Sequence, residues 1–165
     1  LEAIIADFPQ FTFISGKGFM WSPHTRSIIY DARRKNSNDG KIALVHEIGH
    51  ALLGHRLYKY DMELIKMEMD AWDMVRNLAS RYSLDIDEQH IAHCIATYDT
   101  WLTKRATCPD CQNFSLQKGR DEYGCFACGS VWQVNWRKDR RVTRYVTQRY
   151  QSLQQRVGQL SIHSS

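Results

Sequence analysis

Two histidines stand four positions apart in His46-Glu47-Ile48-Gly49-His50, with a carboxylate between them. On a helix, residues at that spacing lie one above the other on one face, so both imidazoles reach a single metal ion while Glu47 projects beside it. The chemistry this pattern serves is hydrolysis at zinc. Three protein ligands leave one coordination position open for water, whose acidity rises there, and a neighbouring carboxylate takes the water's proton and passes it to the leaving amine. His46 and His50 are the candidate ligands and Glu47 the candidate general base. The expected activity is that of a hydrolase, an HExxH zinc metalloprotease acting on a protein or peptide substrate.

A third ligand must come from elsewhere in the chain. If the chain reverses near Lys59-Tyr60 into a second helix, the region around Glu68 to Ala71 comes opposite His50. On that helix Leu64, Glu68, Ala71, Val75 and Leu78 recur at helical spacing, an apolar stripe broken by one carboxylate. A carboxylate in a buried stripe is costly unless it binds something, so Glu68 is the expected third ligand, and Asp70 and Asp73 belong to a solvated polar face. His55 lies about 140° around an ideal helix from His50 and reads as a helix-end or surface histidine. The three-histidine metzincin pattern fails, because Leu53 and Arg56 stand where it needs glycine and histidine.

Four of the five cysteines form two tight pairs, Cys108-Pro109-Asp110-Cys111 and Cys125-Phe126-Ala127-Cys128, separated by 13 residues. Each pair makes a turn presenting two thiolates, and the gap suits a hairpin between two knuckles, the pattern of a structural zinc ribbon. Two Zn2+ per chain are therefore expected, one catalytic and one structural. Cys94, with His90 and His93 nearby, reads as a structural thiol.

These groups need a scaffold. Apolar runs around Phe11 to Ile14, Gly18 to Trp21 and Ser27 to Tyr30, punctuated by Gly16, Gly18 and Ser22-Pro23-His24, predict a small antiparallel meander after a short first helix. Either of the latter two runs is a candidate edge for adding a substrate strand. Helices are predicted from about Lys41 to Leu57, with Ile42, Val45, Leu52 and Leu53 as the covering face, from Asp61 to Tyr82, and from Asp87 to Lys104. The fold class expected is α+β: a minimal zincin-like domain over 1–104, a zinc ribbon over 105–137, and a basic helix or tail over 138–165. Tyr58, Tyr60, Tyr82 and Tyr98 are all candidates to stabilise an oxyanion.

The net charge of +4 is unevenly shared. Residues 1–100 hold 11 Lys and Arg against 14 Asp and Glu, whereas residues 101–165 hold 11 against 4. Arg137, Lys138, Arg140, Arg141 and Arg144, with Trp132, Trp136 and Tyr145 close by, are candidate nucleic-acid contacts, since basic residues grip phosphates and aromatic rings stack on bases. No run approaches the roughly 18 apolar residues of a membrane helix, and the first residues carry no signal-peptide pattern, so a cytoplasmic protein without a membrane partner is expected.

The segment His46-Glu47-Ile48-Gly49-His50-Ala51-Leu52-Leu53-Gly54-His55, followed by Glu68-Met69-Asp70-Ala71, resembles the ImmA/IrrE family of gluzincin metallopeptidases over about residues 20–80. The resemblance implies a thermolysin-like half-domain acting as an endopeptidase, often on a repressor or regulator. Asp70 stands where that family carries a second glutamate, and Trp72 where it usually carries Asn or Asp. The layout of HExxH domain followed by cysteine ribbon is similar to SprT/Spartan-type peptidases, which act on DNA-attached proteins and use a third histidine, a part that His90 or His93 would play. A non-catalytic zinc-binding regulator or nucleic-acid adaptor is the alternative outside enzymes, although metal binding alone does not require Glu47.

Overall fold

The computed structural model describes residues 1–138 and 140–149. Among these residues the architecture is α+β, with four helices and two small sheets that fall into two units. Unit 1 comprises Leu1–Tyr58 and Met62–Tyr98, and unit 2 comprises Lys59–Asp61 and the chain from Asp99 onward. The division falls inside a helix, six residues before the boundary expected at 104/105. Among the described residues no helix is long and apolar enough to cross a membrane.

In unit 1 a short helix α1 (Glu2–Ala6) leads into strands β1 (Thr12–Gly16), β2 (Met20–Ser22) and β3 (Ser27–Asp31). The sheet is mixed rather than the expected antiparallel meander, with order β1-β3-β2. β2 and β3 form the antiparallel hairpin, pairing Met20 with Ile29 and Trp21 with Ile28, but β1 runs parallel to β3, pairing Phe13 with Ile28. β3 holds the fully buried Ile28. Placing this strand in the centre gives both its edges hydrogen-bonding partners and leaves β2 as an edge, so Ser27 to Tyr30 is not free to accept an added strand.

Helix α2 (Asn38–Leu52) starts three residues earlier than the sequence suggests, because the Ser37 hydroxyl accepts the Gly40 N–H at 3.1 Å as N-cap. Its buried face is Leu44, Val45, Ile48 and Ala51. Leu52 and Leu53, expected in that face, are exposed because the helix ends there. The ending is a Schellman closure: Gly54 takes a left-handed φ of 66°, its N–H donates to Ala51 O at 3.2 Å, and the His55 N–H donates to His50 O at 2.9 Å. Helices α3 (Asp61–Tyr82) and α4 (Glu88–Ala106) follow, close to their predicted spans. Trp72, Val75 and Ala79 from α3 join the α2 face, Ile4, Phe8 and Ile28 in one core.

Unit 2 contains the antiparallel sheet β4 (Leu116–Gly119), β5 (Glu122–Gly124), β6 (Val131–Val134) and β7 (Arg144–Gln148), in that order. β7 is a strand within the region expected as a basic helix or tail beyond residue 138. Its residues pair along β6, Trp132 with Val146 and Val134 with Arg144, and satisfy an edge that a helix would leave open. The remainder of the predicted tail, from 150 to 165, lies outside the described residues. Tyr123 stacks on Trp132 at 5.7 Å, and both rings are buried beside Ala106, Cys108, Cys125 and Val134.

Beneath those rings lies a buried polar network that the sequence gives no sign of. Asp61, 0% exposed, accepts from Arg105 Nε at 2.5 Å and Nη2 at 3.1 Å, and from the Tyr123 hydroxyl at 2.5 Å. Arg105, 1% exposed, also reaches Asp121 at 3.3 Å and Asn135 O, and its guanidinium lies 4.4 Å from the Trp101 ring centre. A charge that deep persists only when its hydrogen-bonding capacity is met. Asp61→Ala is therefore expected to cost about 3 kcal/mol, the low end for a broken buried pair because Asp121 and Asn135 still hold Arg105. Urea denaturation of the full chain reads the loss, and Asp61→Ala with Arg105→Met is expected to recover part of it.

Candidate metal centres

Burial brings three ligand atoms in unit 1 to one point. His46 Nε2 lies 3.1 Å from His50 Nε2 and 3.3 Å from Glu68 Oε2, and His50 Nε2 lies 3.7 Å from Glu68 Oε1. Metal bonds of about 2.0–2.1 Å at tetrahedral angles place ligand atoms roughly 3.3 Å apart, so the triangle fits one ion. All three side chains are nearly buried, at 10–12% exposure. The residue chosen by helix-face reasoning, Glu68, is the one found there, whereas His90 and His93 are exposed on α4 and stand outside the cluster. Asp70 pairs with Lys66 at 2.6 Å and Asp73 with Arg76 at 2.7 Å, as expected of a solvated face.

Gly49, the fourth residue of the motif, explains how α3 comes so near. A Cβ built at this position would sit 3.0 Å from Ala71 O and 3.1 Å from Met74 Cβ. A side chain there would press on the α3 backbone, and the close approach of α2 to α3 that glycine permits delivers Glu68, one turn before Ala71, to the two histidines. The family-resemblance reading left Gly49 without a role.

The electrostatics suit ligation. Burial, reinforced by His46, pushes the His50 imidazole down to about 4, so its ring is neutral at physiological pH. Burial works against the Glu68 carboxylate, but bonds to His46 and to the Tyr98 hydroxyl hold it below its ordinary value. Tyr98, raised by its own burial and by Glu68, stays a neutral donor. Of the four tyrosines considered for an oxyanion, Tyr98 and Tyr58 line the cleft, while Tyr82 donates to Asp7 at 2.8 Å. Burial also raises Glu47, partly offset by His46 and by the Trp21 N–H, which donates to its Oε2 at 2.6 Å.

A cleft of about 340 Å3 opens beside these groups, walled by Phe19, Met20, Trp21 and Pro23 from the β2 segment, by His55 to Tyr58, and by Leu64, Met67 and Tyr98. His55 is not the outlying histidine the ideal helix suggested. The Schellman closure folds it back, and its Nδ1 lies 2.8 Å from His50 Nδ1. The Trp72 ring packs 4.4 Å from that of His46, whose Nδ1 is buried without a hydrogen-bond partner.

Unit 2 carries the second cluster. The Sγ atoms of Cys108 and Cys128 are 3.6 Å apart and those of Cys111 and Cys125 3.4 Å, near the roughly 3.7 Å expected around an ion with bonds of about 2.3 Å. All four thiols are free, and the four atoms lie within 4.8 Å of one another. Backbone N–H groups of the two knuckles face the sulfurs, and the Ser115 hydroxyl is the chief cause of a lowered Cys125 thiol. Arg137, Lys138, Arg140, Arg141 and Arg144 lie on or just before β7 in the same unit, and the Arg144 guanidinium donates to Thr107 O at 2.6 Å. No protein-family model, curated protein or solved structure matches the chain.

Both donor sets suit a metal ion. Elemental analysis of the full chain is expected to find two ions per molecule, with His46→Ala and Cys111→Ser each removing a different one. Gly49→Val is expected to push α3 from α2, destabilise the fold by about 1–3 kcal/mol as an overpacked contact does, and deplete the His46 site while sparing the cysteine site.

Proposed function

We propose that the chain is a zinc-dependent endopeptidase of the gluzincin kind, with His46, His50 and Glu68 holding the catalytic ion and Glu47 acting as general base. The ribbon would hold a second, structural zinc through Cys108, Cys111, Cys125 and Cys128. One observation carries the reading: three ligand atoms from two imidazoles and a carboxylate 3.1–3.7 Å apart, on an open cleft, with a second carboxylate, Glu47, next to them that ligation does not use. Nitrogen and carboxylate donors in a three-ligand set are those of catalytic zinc sites, and four thiolates those of structural ones.

Zinc, when bound, supplies Lewis-acid chemistry, polarising a peptide carbonyl and acidifying a water molecule. Glu47 accepts the water's proton at a carboxylate oxygen and returns it to the amide nitrogen as the bond breaks. The raised proton affinity of Glu47 makes it a better base than a solvated carboxylate, and Trp21 N–H holds it in place from β2. Glu68, kept ionised by His46 and Tyr98, balances charge in the ligand set. An extended substrate segment would lie along the β2 edge, with exposed Met20 and the apolar walls of Phe19, Leu57 and Leu64 taking its side chains. This arrangement accords with the resemblance to ImmA/IrrE peptidases.

A second activity is suggested by unit 2. Trp136 is 61% exposed and Tyr145 66%, and the loop joining β6 to β7, with its arginines, is pinned by Asn135, which accepts from Thr143 N at 2.7 Å and donates to Arg141 O at 3.2 Å. Stacking rings beside a fixed basic loop suit single-stranded nucleic acid. Such binding would bring the peptidase to DNA-attached proteins, the SprT/Spartan-like alternative.

Glu47→Gln is expected to lower cleavage of an unfolded protein substrate by about 10²–10⁴-fold with both ions retained. Because the carboxylate is the working form and its pKa is raised above 4.5, activity is expected to fall as pH drops through that raised value, above the ordinary carboxylate range. Absence of cleavage by the two-ion wild type, with or without single-stranded DNA, would overturn the peptidase reading in favour of a metal-binding adaptor.

A further inference from the structure

We propose that His55 is a positioning residue for the metal ligand His50, and that Trp21 holds His55 in that place. The proposal rests on His46, His50 and Glu68 taking up an ion, and its test is independent of peptide cleavage.

The ring atoms leave one assignment. His50 faces His46 and Glu68 with Nε2, so Nε2 is its ligand atom. A neutral imidazole that ligates through one nitrogen carries its proton on the other, so His50 Nδ1–H is a donor. The atom 2.8 Å away is His55 Nδ1, which must therefore accept, and the His55 proton resides on Nε2. This contact also keeps His55 Nδ1 from becoming a ligand itself. Metal-bound histidines commonly direct their free N–H to a carboxylate or a carbonyl, and here a second imidazole fills that role.

Three features hold His55 there. Gly54 makes the left-handed turn at the helix end, the His55 N–H closes on His50 O, and the Trp21 indole Nε1–H donates to His55 O at 2.9 Å. Trp21 thereby touches both sides of the chemistry, since its backbone N–H is the donor to Glu47. His46 has no equivalent support: its Nδ1 is buried without a partner against Trp72. Of the two imidazoles, only His50 is oriented by a hydrogen bond from outside the cluster, so the orientation of the histidine pair depends on His55.

Zinc titration of the metal-free full chain against a chromophoric chelator tests this, with His46→Ala identifying the ion at the histidine site. His55→Leu is expected to weaken that ion about 10–100-fold and leave the cysteine-site ion at its wild-type affinity. His55→Asn, whose side-chain oxygen stands where Nδ1 stood, is expected to retain most of the affinity, and Trp21→Phe to fall between the two. A His55→Leu chain that binds the ion as tightly as wild type, or a His55→Asn chain as weak as His55→Leu, would overturn the proposal. A wild type that binds the ion but cuts no peptide sinks the peptidase reading alone, whereas one that takes up no ion at the histidine site sinks both.

Discussion

Unit 1 is organised around a carboxylate that should not be where it is. Glu68 lies in the apolar stripe of α3 with only 12% of its side chain exposed, facing two imidazoles that are equally buried. Removing an ionised carboxylate from water costs several kcal/mol. The protein offsets part of this with the Tyr98 hydroxyl and the His46 ring, and an ion at the centre of the triangle would supply the rest. The glycine in the middle of the histidine motif, the small Ala71 opposite it, and the edge strand braced on Glu47 all follow from keeping these groups at that separation.

Unit 2 solves a different problem with the same means. Its core is thin: Tyr123, Trp132 and a few aliphatic residues around two cysteine knuckles. A module of this size gains too little from apolar burial to fold on that alone, and a metal bound to the four thiolates would make up the difference. The Asp61–Arg105–Tyr123 network adds direction rather than bulk. Its hydrogen bonds tie Lys59–Asp61, the base of α4 and β5 into one arrangement within the unit.

The sequence exposed the parts of the molecule that are set by local periodicity. His46 and His50 at helical spacing, Glu68 as the odd member of an apolar stripe, and the paired cysteines each carry their geometry in their spacing, and the helices follow from amphipathic patterns. What stayed hidden depends on distant partners. Nothing in residues 11–31 distinguishes a meander from a mixed sheet with β3 in the centre, because strand order is decided by which strand gains most from burial on both sides. The Gln- and Arg-rich segment that contains β7 suggests a basic helix or tail, and only pairing with β6 makes it a strand. His55 was misplaced for a narrower reason. Projecting it on an ideal helix ignored Gly54, a helix-stopping signal visible in the sequence, and the Schellman turn that follows brings His55 back over His50.

The two clusters also differ in what their assembly demands of protons. At neutral pH His50 is already neutral and Glu68 already ionised, because burial and neighbours act in opposite directions on a base and on a paired acid. These two ligands thus stand in their ligating protonation states before any ion arrives. The knuckles are divided: burial raises the Cys108 thiol, while hydrogen bonds led by Ser115 and Ser130 lower Cys125 and Cys128, so Cys108 must lose its proton as an ion enters. An ion at the cysteines would be coupled to folding and proton release together. An ion at the histidines would meet prepared ligands on an open cleft, where the surrounding contacts hold Glu47 and His50.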